Sequence, residues 1–177
     1  MSDLLVDVAR QRMQLPGGQV PCAIGRAGAL PAAAKREGDG ATPLGRWPLL
    51  AALLRPDRGI VPPHGLPWRW LRPDDGWCDA PEDPAYNRPV TLPHRASAER
   101  LWREDEAYDA IVVLGHNLAP VVPGLGSAIF WHVACTDPSA SNSLRATEGC
   151  LAIPRSAMLA VLPHLRFGMH LDIGPTA

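Results

Sequence analysis

The amino-acid sequence predicts a mainly β fold with minor α-structure, on three observations. Proline makes up 20 of the 177 residues, about twice the usual share of roughly 5%, and proline interrupts both helices and central strands. The apolar runs are short, and most of them end at glycine or proline, which is typical of strands bounded by turns. The best helix candidate is the single short segment 154–165, whose apolar side chains repeat at helical spacing. We therefore expect short strands, many turns and long ordered loops.

The order of the elements follows from these runs and turns. Residues 4–9 and 19–24 are predicted to form an opening hairpin, with a Pro-Gly-Gly turn before the second strand. Further strands are predicted at residues 47–54, 110–114, 127–134, 150–153 and 169–173. Pro154 suits the first position of the helix. The apolar side chains that share one face of this helix are Met158, Leu159, Leu162 and Leu165.

Residues 56–93 differ from the rest of the chain, because they contain nine of the prolines and three of the tryptophans. Disordered segments are poor in aromatic residues, so we expect this long loop to be packed on the domain. It is either an ordered surface cover or a lid or wall of a substrate groove. In the second case, Trp77, Tyr86 and Asn87 line the groove.

Composition and charge exclude several classes of protein. Hydrophobic residues make up 46% of the chain and charged residues 20%, which is typical of a folded soluble domain, and we expect residues 1–177 to form a single one. The formal net charge of −1 provides no basic surplus for a nucleic-acid partner. No transmembrane segment is predicted, because no long apolar run is present. The N-terminus does not resemble a signal peptide, so we expect a cytoplasmic chain, another export route or a misplaced start.

The cysteines and histidines do not have the spacing of a metal site. The four cysteines include no C-x-x-C pair and do not resemble a structural zinc site. A disulfide between two of Cys22, Cys78 and Cys135, or free buried thiols, are both compatible with this pattern. The histidines that are scattered without metal spacing are His64, His94, His164 and His170. We therefore expect neither a metal nor a cofactor.

One pair of residues has the context of a catalytic site. His132 lies in an apolar predicted strand, and a polar segment leads from it to Thr147-Glu148-Gly149-Cys150. Glycine lets the backbone turn sharply, so that consecutive N–H groups point at a developing oxyanion. Cysteine attacks as a thiolate, which needs a histidine within reach. The pattern predicts Cys150 as nucleophile and His132 as base, although a lone histidine in such a strand is more often a core residue. His116, after another strand, is either near the site or an exposed turn residue.

This stretch resembles the L,D-transpeptidase catalytic domain, the YkuD family, whose signature is a histidine, a spacer and then Ser/Thr-His-Gly-Cys. Here fourteen residues, 133 to 146, separate His132 from the Thr-Glu-Gly-Cys motif. The stretch Thr42-Pro43-Leu44-Gly45-Arg46-Trp47 is also similar to the family's Thr-Pro-x-Gly-x-aromatic hairpin. The two motifs stand in the family's order, and the resemblance covers most of the chain outside residues 56–93.

The resemblance implies a β-sandwich with one or two short helices and a long Pro-rich loop. It also implies an enzyme of cell-wall biogenesis and cell shape that acts on peptidoglycan stem peptides in the periplasm or cell envelope. Cys150 matches the nucleophile, His132 the base that a backbone carbonyl usually orients, and Gly149 the glycine whose neighbouring N–H groups hold the oxyanion. The residues that we expect to contact substrate are Trp77, Tyr86, Arg145, Thr147 and Glu148.

Two positions depart from the family pattern. Glu148 replaces the histidine before Gly-Cys, and a carboxylate beside a thiolate raises the thiol pKa unless it is paired. Its candidate partners are Arg145 and Arg155. Ala152 replaces a polar residue of the family, which indicates altered donor recognition. The Glu-Gly-Cys variant with a Pro-rich loop is similar to a proteobacterial branch, some of whose members join stems through the first residue, L-Ala, instead of the third.

Three functions are compatible with the sequence. In the first, Cys150 attacks a peptide carbonyl at an L-centre of a stem, and an amine of a second stem, the diaminopimelate side chain, converts the thioester into a cross-link. In the second, water resolves the same thioester, as in an L,D-carboxypeptidase or amidase. In the third, the domain is catalytically silent and only binds peptidoglycan, which Glu148 favours.

Overall fold

The computed structural model describes residues 4–136 and 144–174. Within these ranges strands predominate, with one α-helix, Arg155–Val161 (α1), and 3-10 turns at Ala32–Ala34 and Leu162–His164. The prediction of a mainly β fold with minor α-structure is therefore confirmed. The strands are β1 (Leu4–Asp7), β2 (Arg12–Leu15), β3 (Gly18–Pro21), β4 (Ala29–Pro31), β5 (Thr42–Leu54), β6 (Trp68–Trp70), β7 (Asp75–Cys78), β8 (Pro89–Thr91), β9 (Ala98–Arg100), β10 (Ala110–Leu114), β11 (Phe130–Val133), β12 (Leu151–Ile153) and β13 (His170–Gly174).

Ten of these strands form one sheet around β5, a strand of 13 residues. The order is β12-β11-β10-β5-β13-β1-β2-β3, and β4 and β6 pair with β5 outside this path. After β3 the chain returns to β12 through a bridge between Ala23 and Ala152. The two ends of the sheet order therefore meet, and the sheet closes around an apolar core in the sandwich-like arrangement that the resemblance implies.

The main core lies inside this closed sheet. Strands β1, β5, β10 and β11 contribute fully buried side chains such as Leu4, Leu54 and Trp131. Helix α1 packs Met158 and Val161 against them. Burying one such apolar side chain contributes about 1.5–3 kcal/mol. Because β5, β10 and β11 are fixed by this core, they form a rigid support for the residues at their ends.

The helix is shorter than the predicted segment 154–165. It ends at Val161, and a 3-10 turn of three residues follows. Pro163 lacks the backbone N–H that a longer α-helix requires at this position. Of the predicted apolar face, Met158, Leu162 and Leu165 are buried, and Leu159 is partly buried. No helix in the described part of the chain is both long and apolar enough to span a membrane.

The Pro-rich segment is more regular than predicted. It contains β6, β7 and β8, and β7 pairs with β8 and β9 in a separate three-stranded sheet. Trp77 in β7 is buried, and its ring meets that of Phe130 edge-on at 5.1 Å between centroids. Trp68 and Trp70 are each 41% exposed and contact each other. Packing on the domain is therefore confirmed for Trp77. Trp68 and Trp70 also lie on the domain, because β6 pairs with β5, but their side chains remain partly exposed.

The opening hairpin is formed by other strands than those predicted. The Pro-Gly turn joins β2 to β3, whereas residues 4–9 contain β1, which pairs with β2 and with β13. Exposed and buried side chains alternate along β2, as expected for a half-buried strand. The strand after the turn ends at Pro21 instead of residue 24.

The Thr-Pro-x-Gly-x-aromatic motif lies within a strand and not in a hairpin turn. Strand β5 starts at Thr42, earlier than the predicted residue 47. Gly45 has a φ of +143°, and a Cβ there would lie 2.9 Å from Cζ2 of Trp47. Nε1 of Trp47 donates a hydrogen bond to the carbonyl of Pro43 at 3.0 Å. Glycine is therefore used here to let the tryptophan ring fold over the strand, and not to reverse the chain.

Candidate active site

Cys150 immediately precedes β12, and its side chain is buried against residues 128–130. The thiol donates to the carbonyl of Ala128 at 3.2 Å, and Sγ accepts the N–H of Phe130 at 3.4 Å. Gly149 has a φ of +137°, and a Cβ there would lie 3.0 Å from the carbonyl oxygen of Ala41. Glycine at this position lets the chain pass close to Ala41 and turn into the strand.

Two threonines hold the backbone of Cys150. Oγ1 of Thr147 donates to the carbonyl oxygen of Cys150 at 2.6 Å and accepts the N–H of Gly149 at 3.2 Å. Oγ1 of the buried Thr42 donates to the same carbonyl oxygen at 3.2 Å. The Thr-Pro-x-Gly-x-aromatic motif and the Thr-Glu-Gly-Cys motif therefore meet at one backbone carbonyl. Their order along the sequence did not reveal this contact.

His132 lies in β11, directly beside β12, where it is in register with Ala152. Its Nδ1 lies 2.7 Å from the carbonyl oxygen of Val133, and the ring of Tyr108 meets it edge-on at 5.1 Å between centroids. A carbonyl oxygen only accepts, so Nδ1 carries the proton and Nε2 is the basic nitrogen. Burial lowers the pKa of His132 to about 4, and the imidazole is neutral at pH 7.

Cys150 and His132 line the same cavity, whose volume is about 580 Å³. Cavities of roughly 300–1,000 Å³ hold small molecules or short peptide segments. Most of the charged groups around this cavity are acidic, with five carboxylates and two guanidinium groups. These residues are Glu37, Asp79, Glu99, Asp105 and Glu148, and Arg103 and Arg145.

A family model of the L,D-transpeptidase catalytic domain (YkuD) matches residues 2–173. The chain belongs to this family. Searches of curated proteins and of solved structures found no significant match. Membership places the chain among the L,D-transpeptidase-type enzymes of peptidoglycan. The histidine and the cysteine of the family signature are the two residues that this fold brings to one cavity.

The residue that departs from the YkuD signature, Glu148, is mostly exposed. Its side chain is 77% exposed and pairs with Arg26 at 2.8 Å. The predicted partners are wrong, because in the described part of the chain Glu148 pairs with Arg26 and not with Arg145, and Arg155 pairs with Asp109. Arg26 is 122 positions away in the sequence, so no local spacing indicated this pairing.

Burial and the carboxylate of Glu99, and not Glu148, raise the pKa of Cys150. Burial is the larger cause, and the two together bring the thiol pKa to about 12, although the N–H of Phe130 and the ammonium of Lys35 lower it in part. At pH 7 the site therefore contains a neutral thiol beside a neutral imidazole.

Glu99 and Tyr108 form a wall of the cavity that sequence reasoning missed. Glu99 comes from β9, just after the Pro-rich segment, and accepts a hydrogen bond from the hydroxyl of Tyr108 at 2.5 Å. Burial raises the pKa of Glu99, and the bond from Tyr108 opposes this increase. The ring of Tyr108 also packs against His132. The three-stranded sheet thus brings an acidic residue to the cavity that Cys150 and His132 line in this YkuD domain.

Trp77, Tyr86 and Asn87, which we expected in a substrate groove, are buried and are not among the residues that line the cavity. Oδ1 of Asn87 accepts hydrogen bonds from Nε1 of Trp77 at 2.9 Å and from the N–H of Ala128 at 3.1 Å. Tyr86 donates to the carboxylate of Glu37 at 2.5 Å. Ala128 has a φ of +51°, which is uncommon for alanine. Asn87 therefore supports the strained residue whose carbonyl accepts the Cys150 thiol.

Of the remaining histidine and cysteine candidates, only Cys135 lines the cavity with Cys150 and His132. His116 is buried and does not line the cavity, so its expected place in an exposed turn is wrong. Its Nε2 lies 2.9 Å from the carbonyl oxygen of Leu125, and its ring meets Trp47 edge-on. All four cysteines are free thiols, and of the three outside the signature only Cys135 lines the cavity.

Proposed function

We propose that this chain is a peptidoglycan L,D-transpeptidase that forms stem-peptide cross-links in the cell envelope. Cys150 carries the thioester and His132 is the general base. The observation that carries the proposal is the placement of both side chains on one cavity, with His132 in β11 and Cys150 at the start of the adjacent β12. Membership of the L,D-transpeptidase family supports it.

The first half-reaction acylates Cys150. A thiol with a pKa of about 12 beside a histidine with a pKa of about 4 holds its proton at rest, so the proton passes to Nε2 of His132 as Sγ attacks the bound carbonyl. The bond between Sγ and the carbonyl carbon forms, and the leaving amine departs with the proton from His132. The N–H of Gly149 is bonded to Thr147, so we assign the oxyanion to the N–H of Cys150.

The second half-reaction transfers the acyl group to an amine of another stem. An amine is protonated at neutral pH, and the acidic lining of the cavity attracts a cation. The ammonium first releases one proton to solvent. Nε2 of His132 takes a second proton as the free amine attacks the thioester and passes it to the departing sulfur, so the thiol of Cys150 is restored. The diaminopimelate side chain supplies such an amine, and exclusion of water decides between transfer and hydrolysis.

The acyl donor that we propose is L-Ala at the first stem position. Support comes from the Glu-Gly-Cys variant and from Ala152, whose small side chain lines the cavity where the family often has a polar residue. A methyl group at this position removes a polar contact to the donor and leaves space beside the catalytic pair.

The test is mass analysis of the products from a defined muropeptide mixture. We expect cross-linked dimers with the wild-type chain and none with Cys150→Ala, and fragmentation should place the link at the first stem residue. Cys22→Ala removes a buried thiol outside the cavity and serves as the matched control with unchanged yield. Trimmed monomers in place of dimers would assign a hydrolase, and dimers formed by Cys150→Ala would contradict the proposed mechanism.

A further inference from the structure

We propose that Cys78, Asp83 and His94 bind a zinc ion that stabilises the three-stranded sheet. None of the three residues lines the catalytic cavity. The proposal is therefore independent of the proposed transpeptidase function, and it concerns a part of the chain that contains none of the family's motif residues.

The three potential ligand atoms are already close together. The sulfur of Cys78, a carboxylate oxygen of Asp83 and a ring nitrogen of His94 lie within 4.8 Å of one another. Nε2 of His94 and Oδ2 of Asp83 are 3.7 Å apart, which is too far for a hydrogen bond. Two ligands of a tetrahedral zinc ion, with bonds of about 2.0–2.3 Å, are roughly 3.4–3.6 Å apart. Small side-chain adjustments therefore bring these atoms to one ion.

A second observation comes from the hydrogen bonding of His94. Within residues 4–136 and 144–174, its Nε2 is buried and has no hydrogen-bond partner. Buried side-chain nitrogens are nearly always bonded, whereas a neutral imidazole nitrogen is a common metal ligand. The sulfur of Cys78 lies in the same buried cluster. A metal ion would give the ring nitrogen of His94 a partner.

The ligands come from three parts of the small sheet. Cys78 ends the central strand β7, Asp83 lies in the connection from β7 to β8, and His94 lies between β8 and β9. These strands have only three or four residues each, and such short strands are marginally stable without further support. An ion held by all three segments would join both connections to the central strand.

The hydrogen bonds of Asp83 leave room for an ion. Its Oδ1 accepts the N–H of Ala85 at 2.8 Å, and its Oδ2 accepts Nε of Arg95 at 3.0 Å. Each carboxylate oxygen has a second lone pair, and ligating carboxylates are themselves commonly hydrogen-bonded. The side chain of Arg95 is 73% exposed, so solvent screens its charge.

The donor set selects zinc among the common divalent ions. Thiolate and imidazole are ligands of zinc, whereas calcium and magnesium take oxygen. Binding releases the thiol proton of Cys78 to solvent, and thiolate and carboxylate together neutralise the two charges of the ion. A water completes the tetrahedron. The spacing Cys-x4-Asp-x10-His matches no common zinc motif, so the cluster was recognised only in the folded chain.

The test uses the full chain, stripped of metal with a chelator and dialysed against zinc chloride. Bound zinc is measured by atomic emission, and the melting temperature by thermal unfolding. We expect one zinc per chain and a rise of about 5 °C or more. Cys78→Ala and His94→Ala should lose both effects. Cys22→Ala and Cys150→Ala, which remove free thiols elsewhere, should keep both.

Several outcomes would overturn the site. If Cys150→Ala loses zinc binding and His94→Ala keeps it, the ion binds at Cys150 and His132 instead. If the wild-type chain takes up no zinc, the proposal is excluded. If Cys78→Ala does not fold, the site is tested instead by adding cobalt to the Cys150→Ala chain. A thiolate-to-cobalt charge-transfer band supports the site, and its absence overturns it. None of these measurements uses enzymatic activity, so the result is separate from that for the transpeptidase.

Discussion

The hydroxyl of Thr42 donates a hydrogen bond to the carbonyl oxygen of Cys150 across 3.2 Å, although the two residues are 108 positions apart. The same hydroxyl accepts the N–H of Gly25 at 2.8 Å, and Thr147, three positions before Cys150, donates to the same carbonyl. Because the carbonyl is held by two donors, the backbone of Cys150 is fixed, and so is the direction of its Cα–Cβ bond. One family motif thereby orients the sulfur that the other motif carries.

Replacing Thr42 by valine should reduce transfer activity by about tenfold and the free energy of unfolding by about 1–3 kcal/mol. Valine keeps the shape of the side chain but leaves the buried N–H of Gly25 without a partner and releases the Cys150 carbonyl. Dimer yield per unit time and urea unfolding measure the two effects. Thr42→Ser should restore both, and Thr91→Val, on the exposed strand β8, should change neither. Wild-type activity in Thr42→Val would show that this bond does not position the sulfur.

Replacing Glu99 by glutamine should lower the pKa of the Cys150 thiol. The negative carboxylate disfavours the thiolate, and it is the main charged group that raises this pKa. At a fixed pH below the thiol pKa, more thiolate then forms and alkylation by iodoacetamide is faster. The rate of alkylation against pH, followed by intact mass, measures the shift.

Glu148→Gln is the matched control for this prediction. Glu148 adjoins the Gly-Cys step in sequence, but its side chain is exposed and paired with Arg26. Its removal should leave the alkylation profile close to that of the wild type. A larger shift in Glu148→Gln than in Glu99→Gln would reverse our assignment of the carboxylate that acts on Cys150.

The proposed catalytic pair, Cys150 and His132, could be selected from the sequence because such chemistry leaves a local pattern. The sequence alone shows the glycine before Cys150 and the polar segment after the strand of His132. The contacts of Glu99 with Tyr108, and of Arg26 with Glu148, join residues that are ordinary in their own segments. Glu99 and Tyr108 are nine positions apart and Arg26 and Glu148 are 122 apart, and only the folded chain brings each pair together, so no sequence pattern indicated these contacts.

The same distinction applies to the strands. The run at Ala110–Leu114 is apolar throughout and was predicted with its observed bounds. Strands β6 to β9 have three or four residues each and lie among prolines. Such short strands show too little alternation of apolar and polar side chains to be recognised among turn-favouring residues. The start of β5 was missed for a related reason, since Pro43 and Gly45 favour a turn locally and are accommodated in a strand by the ring of Trp47.

The stability of the chain should decrease between pH 7 and pH 5 because of His132. Burial lowers its pKa to about 4 in the folded state, whereas the value in an unfolded chain is about 6.5. Between these two values the unfolded state binds a proton that the folded state does not, so the free energy of unfolding falls as the pH falls. The expected decrease from this residue is roughly 2 kcal/mol. Urea unfolding at several pH values measures it.

Two variants isolate the contribution of His132. His132→Gln has no titrating group at this position, so its free energy of unfolding should change less between pH 7 and pH 5. His64→Gln removes an exposed histidine and should keep the wild-type slope. Equal slopes for the wild type and His132→Gln would contradict the lowered pKa.

Replacing Asn87 by alanine should destabilise the chain by about 2–4 kcal/mol and reduce transfer activity. The change removes the acceptor for Nε1 of Trp77 and for the N–H of Ala128, both of which lie in the interior, and buried donors without partners are costly. It also places alanine at a φ of +52°, where asparagine is tolerated better. Thermal and urea unfolding measure the stability.

Arg88→Ala, which changes the exposed neighbour of Asn87, is the control and should stay within about 0.5 kcal/mol of the wild type. Because the carbonyl of Ala128 accepts the Cys150 thiol, Asn87→Ala should also alter the alkylation rate of Cys150, and an unchanged rate in a destabilised chain would limit Asn87 to a purely structural role.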